Sequence, residues 1–131
     1  MINIFGWDKR KKVRINPEAT VVFTVCSGKD PKLVSSAVTG AVKDFSAKGM
    51  SVVTPRIAPD GIHIMYDNLM IHKNRIDATI FSEENPPIRV TGTVAWFRSV
   101  EQGNFIFGMQ FDQEATAETV SLSDKNPPPD H

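Results

Sequence analysis

The chain has 131 residues, with 15 Lys or Arg against 15 Asp or Glu, so its formal charge at pH 7 is zero. That length predicts a single domain able to bury its own core. The neutral balance excludes bulk attraction to nucleic acid or to membranes as an organising force. Cys26 is the only cysteine, which excludes an internal disulfide and a cysteine-based zinc site.

The chain opens with Met1, Ile2, Ile4, Phe5 and Trp7 ahead of its first cations, the reverse of the order in a secretory leader. No apolar stretch nears the roughly 20 residues of a membrane span. A cytoplasmic protein with no membrane insertion is therefore expected. Residues 1–14 read as a flexible arm. Its end is strongly basic, because Lys9, Arg10, Lys11, Lys12 and Arg14 face only Asp8 in seven positions.

From residue 15 to residue 123 the pattern is that of one folded unit. Residues 19–26, rich in Val, Thr and Phe, predict a strand. Cys26 closes this apolar run and is expected to be a small buried hydrophobe. A second strand-like run covers residues 36–45, and a third covers 49–54 and stops at Pro55. In residues 55–82 the segment around Ile62, Ile64 and Tyr66 reads equally as a strand or as a loop edge, and residues 75–81 predict a strand.

The clearest strand spans residues 88–100. Ile88, Val90, Val94 and Trp96 share one face, and Arg89, Thr91, Thr93, Ala95 and Phe97 share the other. This places Trp96 in the interior and leaves Arg98, near the strand's end, to water. Gln102-Gly103-Asn104 marks a hairpin turn into Phe105, Phe107, Met109 and Phe111, which alternate again. Residues 113–122 predict a short helix. The tail, residues 124–131, holds three consecutive prolines and is expected to be disordered.

Two motifs carry chemistry. Arg10-Lys11-Lys12-Val13-Arg14 has the form Arg-x-x-x-Arg, and Asp44-Phe45-Ser46-Ala47-Lys48-Gly49 has the form Asp-x-Ser-x-x-Gly. A guanidinium forks onto phosphate oxygens or the O6/N7 edge of guanine and can stack on a base, which an ammonium cannot do. A carboxylate at Asp44 can accept from guanine N1–H and N2–H. A hydroxyl at Ser46 can donate to a phosphate. Gly49 permits a turn or a close backbone approach. Taken singly, the first motif reads as a solvated basic run and the second as a capped turn.

Taken together, in this order and with a strand such as Gly92-Thr93-Val94-Ala95-Trp96 leading by a hairpin into Phe107-Gly108-Met109-Gln110-Phe111, they resemble the PilZ domain family. The resemblance covers roughly residues 9–112. It implies an all-β fold, a six-stranded antiparallel barrel with a short C-terminal helix. It also implies cyclic di-GMP, a bacterial second messenger, as ligand, with Arg10, Arg14, Asp44, Ser46 and Gly49 in the binding roles. Lys9 stands where the family often has Arg, which leaves open whether one or two ligand molecules bind. Trp7 can stack on a guanine, or equally pack against a membrane or a partner. The resemblance further implies a receptor that changes conformation on binding and signals to a protein effector, in processes such as motility, polysaccharide secretion and biofilm attachment.

Catalysis is not expected. His63, His72 and His131 lack metal-ligand spacing, and no nucleophile–His–acid pattern or phosphate-binding glycine loop occurs. No cofactor is implied beyond the nucleotide ligand. Two rival readings remain. One is a PilZ-like protein-interaction module that ignores nucleotide, against which the two motif arginines count. The other is a β-barrel binder of single-stranded nucleic acid, which would need exposed aromatics where the alternating phenylalanines look buried.

Overall fold

The computed structural model describes residues 19–67, 69–83 and 85–115. Six strands form in chain order: β1 (Thr20–Cys26), β2 (Val38–Phe45), β3 (Gly49–Thr54), β4 (Arg75–Phe81), β5 (Ile88–Ser99) and β6 (Phe105–Phe111). Each predicted strand is present, within a residue or two at its ends. The strands pair antiparallel in the order β1-β2-β3-β6-β5-β4, and β4 returns to β1, so the sheet closes into a barrel. Among the described residues closure gives every strand a partner on both sides, which removes the open edge strands of a flat sheet.

Strict alternation builds the interior. Val21, Phe23 and Val25 of β1, Ile76, Ala78 and Ile80 of β4, and Ile88, Val90 and Val94 of β5 are all buried. Phe107 and Met109 of β6 complete the core from the other side. Phe23 and Phe107 meet edge to face at its centre, with ring centroids 5.4 Å apart. The segment around Ile62 and Ile64 is not a strand. It belongs to the long β3–β4 connection, which lies over one end of the barrel and drives the fully buried Ile64 into the core. Only Tyr66 makes a β-bridge there, with Lys73.

Cys26 is half-buried rather than buried, with its Sγ 3.5 Å from the Pro31 carbonyl oxygen. It ends β1 on the outward-facing register, opposite the inward Val25, so the neighbouring loop covers it only in part. The short 3-10 turn Glu101–Gly103 makes the β5–β6 hairpin. The expected helix at 113–122 does not start in residues 113–115, which are irregular, and its remainder lies outside the described residues. The arm at 1–14 and the tail at 124–131 also lie outside them.

The two ends of the barrel differ. Because neighbouring strands run oppositely, the β1–β2 and β3–β4 connections leave one end, while the β2–β3 turn closes the other. In the β3–β4 connection, the Asp67 carboxylate accepts the Ile71 amide at 2.9 Å and pairs with His72 Nδ1 at 2.8 Å. The His72 partner, with the amide behind it, pulls the Asp67 carboxyl down to about 2.

Two outcomes follow from this packing. Phe107→Ala should lower unfolding free energy by about 3–5 kcal/mol in urea melts, since it removes a fully buried ring and leaves a cavity. Asp67 has its pKa lowered on folding, so its stabilisation is complete above the ordinary value of 3.8 and is lost as pH falls toward about 2. Asp67→Asn should therefore flatten that part of the stability profile, read as the urea midpoint between about pH 5 and pH 2.

Candidate functional site

Two β-bulges set the site. Along β2, Val38 and Val42 point inward, and simple alternation would send Asp44 into the core as well. The pairing with β3 shifts between Val42 and Asp44, leaving Lys43 as the extra residue. Asp44 is thereby paired with Ser51 on the outward register, where Asp44 is exposed and Ser51 is covered, while Phe45 turns inward to meet Phe111 at 5.6 Å. An inserted residue reverses, relative to simple alternation, the facing of the residues that follow it in the strand.

The same device operates on β5. Its pairing with β6 shifts between Val94 and Trp96, with Ala95 as the extra residue. Trp96, expected inside the barrel from the strand's alternation, is instead on the outer wall and 43% exposed. It pairs with Gly108, and a Cβ at that position would collide with the indole Nε1 and Cε2. Glycine is what lets the ring lie flat against the wall.

The registers join these residues into one row. Asp44 is opposite Ser51, Ser51 is opposite Gly108, and Gly108 is opposite Trp96. Four adjacent strands thus present a carboxylate, a hydroxyl, a bare backbone position and an indole in line. The Ser51 hydroxyl donates to Asp44 Oδ2 at 3.0 Å, which orients the carboxylate.

The Asp-x-Ser-x-x-Gly turn stands at one end of this row. The Ser46 amide donates to the Gly49 carbonyl at 2.8 Å and closes the turn. The Ser46 hydroxyl accepts the Lys48 amide at 3.3 Å and lies 3.4 Å from the Gly49 carbonyl oxygen, so it is exposed but locally held. The chain leaving β6 clamps the turn from below. The Phe111 amide donates to the Lys48 carbonyl at 2.8 Å, and the Ala115 amide donates to the Ala47 carbonyl at 2.7 Å, with Ala47 and Ala115 both buried. At Gly49 a side chain would run into the Met109 carbonyl of β6, so this glycine serves the close approach of β3 to β6.

An open groove of about 660 Å³ runs along the row. Among the described residues Asp44 is the one carboxylate in its lining, while Lys43, Lys48 and Arg98 supply three cations. Arg98, read from the sequence as facing water, is exposed and also lines this groove, because the bulge before it resets its facing. The groove can therefore accept an anion bearing a flat ring: cations for the charge, an indole face for stacking, and a carboxylate for ring N–H donors. Its volume lies within the range typical of small-molecule sites, about 300–1,000 Å³.

Of the residues singled out in the sequence, Asp44, Ser46 and Gly49 fall together on this groove. Lys9, Arg10 and Arg14 lie outside the described residues. Ser51, Trp96 and Gly108 were missed as site residues. The signal that could have found them is the misfit of Asp44 and Trp96 to buried positions in their own strands. His63 does not line the groove. Its Nδ1 accepts the Met65 amide at 3.0 Å, its ring meets Phe97 at 5.1 Å, and burial lowers its pKa. Among the described residues no group of three or more His, Cys, Asp or Glu is placed to hold a metal ion, and no helix is long and apolar enough to cross a membrane.

Comparison with protein families matches the PilZ domain over residues 8–123. Comparison with curated proteins returns no match.

The seating of the indole is directly testable. Gly108→Ala should expel the Trp96 ring from the wall at a cost of about 1–3 kcal/mol, the usual penalty for overpacking. In a Trp7→Phe background, which leaves Trp96 as the sole tryptophan, its emission should shift to the red.

Proposed function

The chain belongs to the PilZ domain family, and on that footing we propose that it is a cyclic di-GMP receptor that binds the dinucleotide without transforming it. The observation that carries this reading is the Asp44–Ser51–Gly108–Trp96 row beside the Asp-x-Ser-x-x-Gly turn, set in a groove whose other charges, among the described residues, are positive. Cyclic di-GMP offers two phosphates and two guanines, and the groove holds a complement for each. Asp44 takes guanine N–H donors, the exposed indole of Trp96 takes a base face, and Ser46 with Lys48 faces phosphate.

The arm supplies the rest. Arg10 and Arg14 fork onto phosphate and guanine edges when residues 1–14 fold over the groove, and Lys9 adds charge beside them. Ordering the arm costs entropy but makes the conformational response large. The reordered surface is what a protein effector would read. Cytoplasmic residence fits a ligand made and sensed inside the bacterial cell. The nucleic-acid alternative is disfavoured because Phe107 and Phe111 are buried in the barrel rather than displayed as a stacking platform.

Isothermal titration of the full chain with cyclic di-GMP tests the reading, with GMP and single-stranded RNA as comparison ligands. Binding should be selective for the cyclic dinucleotide. Arg10→Ala, Arg14→Ala and Asp44→Ala should each weaken it roughly 10- to 100-fold, since a hydrogen bond to a charged group contributes about 1.5–3 kcal/mol. No binding by the wild-type chain would overturn the receptor reading. Unchanged affinity in all three variants would overturn the assigned roles.

A further inference from the structure

Part of β5 is paired on one side alone. Its pairing with β6 runs from Gly92 to Ser99, whereas its pairing with β4 runs from Ile88 to Gly92 and stops where β4 begins. Among the described residues neither a strand nor an isolated bridge lies on the β4 side of Trp96–Ser99. Where β1 outruns β2, by contrast, the chain fills the gap itself. Cys26 bridges Val34, and the Val25 backbone donates to the Ser35 hydroxyl and accepts from the Ser35 amide.

The bulge at Ala95 twists the strand just before this stretch, so the regular open edge is Trp96–Ser99, whose residues are all exposed. Proteins usually guard such an edge with Lys or Pro. Trp96-Phe97-Arg98-Ser99 has neither, and its one charge, Arg98, lines the groove. An open edge of β-favouring residues takes an added strand, which completes its backbone hydrogen bonds.

The pairings fix how far such a strand must travel. Thr20 is level with Ala41, Ala41 with Val53, Val53 with Ile106, and Ile106 with Arg98. The start of β1 thus faces Arg98 across β2, β3 and β6, and the line ends on Ile106 and Arg98, which both line the groove. Strands lie ~4.8 Å apart, so the far side of β5 is roughly 24 Å from Thr20 along the wall. The thirteen residues from Trp7 to Ala19 can span about 40 Å. Ahead of them stands Ile2-Asn3-Ile4-Phe5, rich in β-branched and aromatic residues, matched in length to the open edge and ended by Gly6. The other terminal stretch outside the described residues, 116–131, carries three consecutive prolines, which cannot donate to a ladder. A tethered segment also acts at an effective concentration on the order of mM, which a second copy in dilute solution does not reach.

We propose that Ile2–Phe5 adds as a further strand to the Trp96–Ser99 edge of β5. Ile2 and Ile4 share one face of that strand and lie beside Trp96 or Phe97, whose exposed rings they cover. The head of the chain is then held with or without ligand, and residues 6–18 are drawn along the wall that carries the groove. On the receptor reading this sets Arg10 and Arg14 over the groove before the dinucleotide arrives. The strand addition itself does not rest on that reading.

Amide hydrogen exchange of the full chain, followed by NMR without cyclic di-GMP, tests the proposal. The Trp96–Ser99 amides on the β4 side, and the amides of Ile2–Phe5 that face them, should exchange at least about tenfold more slowly than in an Asn3→Pro, Ile4→Pro variant. Adjacent prolines remove a ladder donor from the segment whichever way it faces. Asn3→Thr, Ile4→Val, which keeps the amides and the β-favouring side chains, should keep the protection. Slow exchange at Val21 and Phe107 in every variant reports an intact barrel. Equal exchange in the wild type and the proline variant at both segments overturns the proposal. Protection of Trp96–Ser99 that survives the prolines also overturns it, in favour of a second copy if that protection rises with protein concentration and of another part of the chain if it does not. With no dinucleotide in the sample, failure of the receptor reading leaves this result untouched.

Discussion

In a sheet whose side chains alternate faces, a single extra residue redirects the side chains that follow it. Lys43 and Ala95 are the extra residues here, one on each of two strands that flank β3 and β6. Without them Asp44 and Trp96 would point into the barrel, where the carboxylate would have to give up its water and the indole would crowd Phe23 and Phe107. With them, both emerge on the outer wall and fall into register with Ser51 and Gly108. The groove's chemistry is a consequence of that pair of bulges.

The rest of the barrel serves this arrangement by holding it still. The β2–β3 turn is closed by its own Ser46 amide and braced from the β6 side through Lys48 and Ala47. Gly49 and Gly108 each remove a side chain at a point of contact, one so that two backbones can approach and the other so that a ring can lie flat. Arg75 and Thr91 both hold Asp112, just past β6, so the exit strand that braces the turn is itself anchored to β4 and β5. A binding surface placed on paired strands is positioned more tightly than one on free loops. The opposite end is built differently, from long connections plugged by Ile64, and there the apolar side chains are displayed rather than packed.

Much of this was legible in the residues. Alternation in 19–26, 75–81 and 105–111 predicted strands that formed, since period-two patterning and the turn residues between them act locally. The Asp-x-Ser-x-x-Gly motif could be assigned to a turn between strands for the same reason. Trp96 lies outside against the expectation of burial, because the alternation of β5 taken alone continues smoothly through Ala95, whereas Arg98 is exposed as its place near the strand's end predicts. Ile62, Ile64 and Tyr66 mimic a strand, yet Ile64 is spaced to reach the core from a loop lying across the barrel's end.

From the order of its amino acids alone, this protein has six strands, the turns that join them, and an acid–hydroxyl–glycine turn in company with paired arginines, because each of these depends on neighbours a few residues apart. Closure of the barrel decided which wall Asp44 and Trp96 would occupy. A bulge is a property of two strands in register, and β2 against β3 or β5 against β6 acquires its register only when the whole ring of pairings is complete.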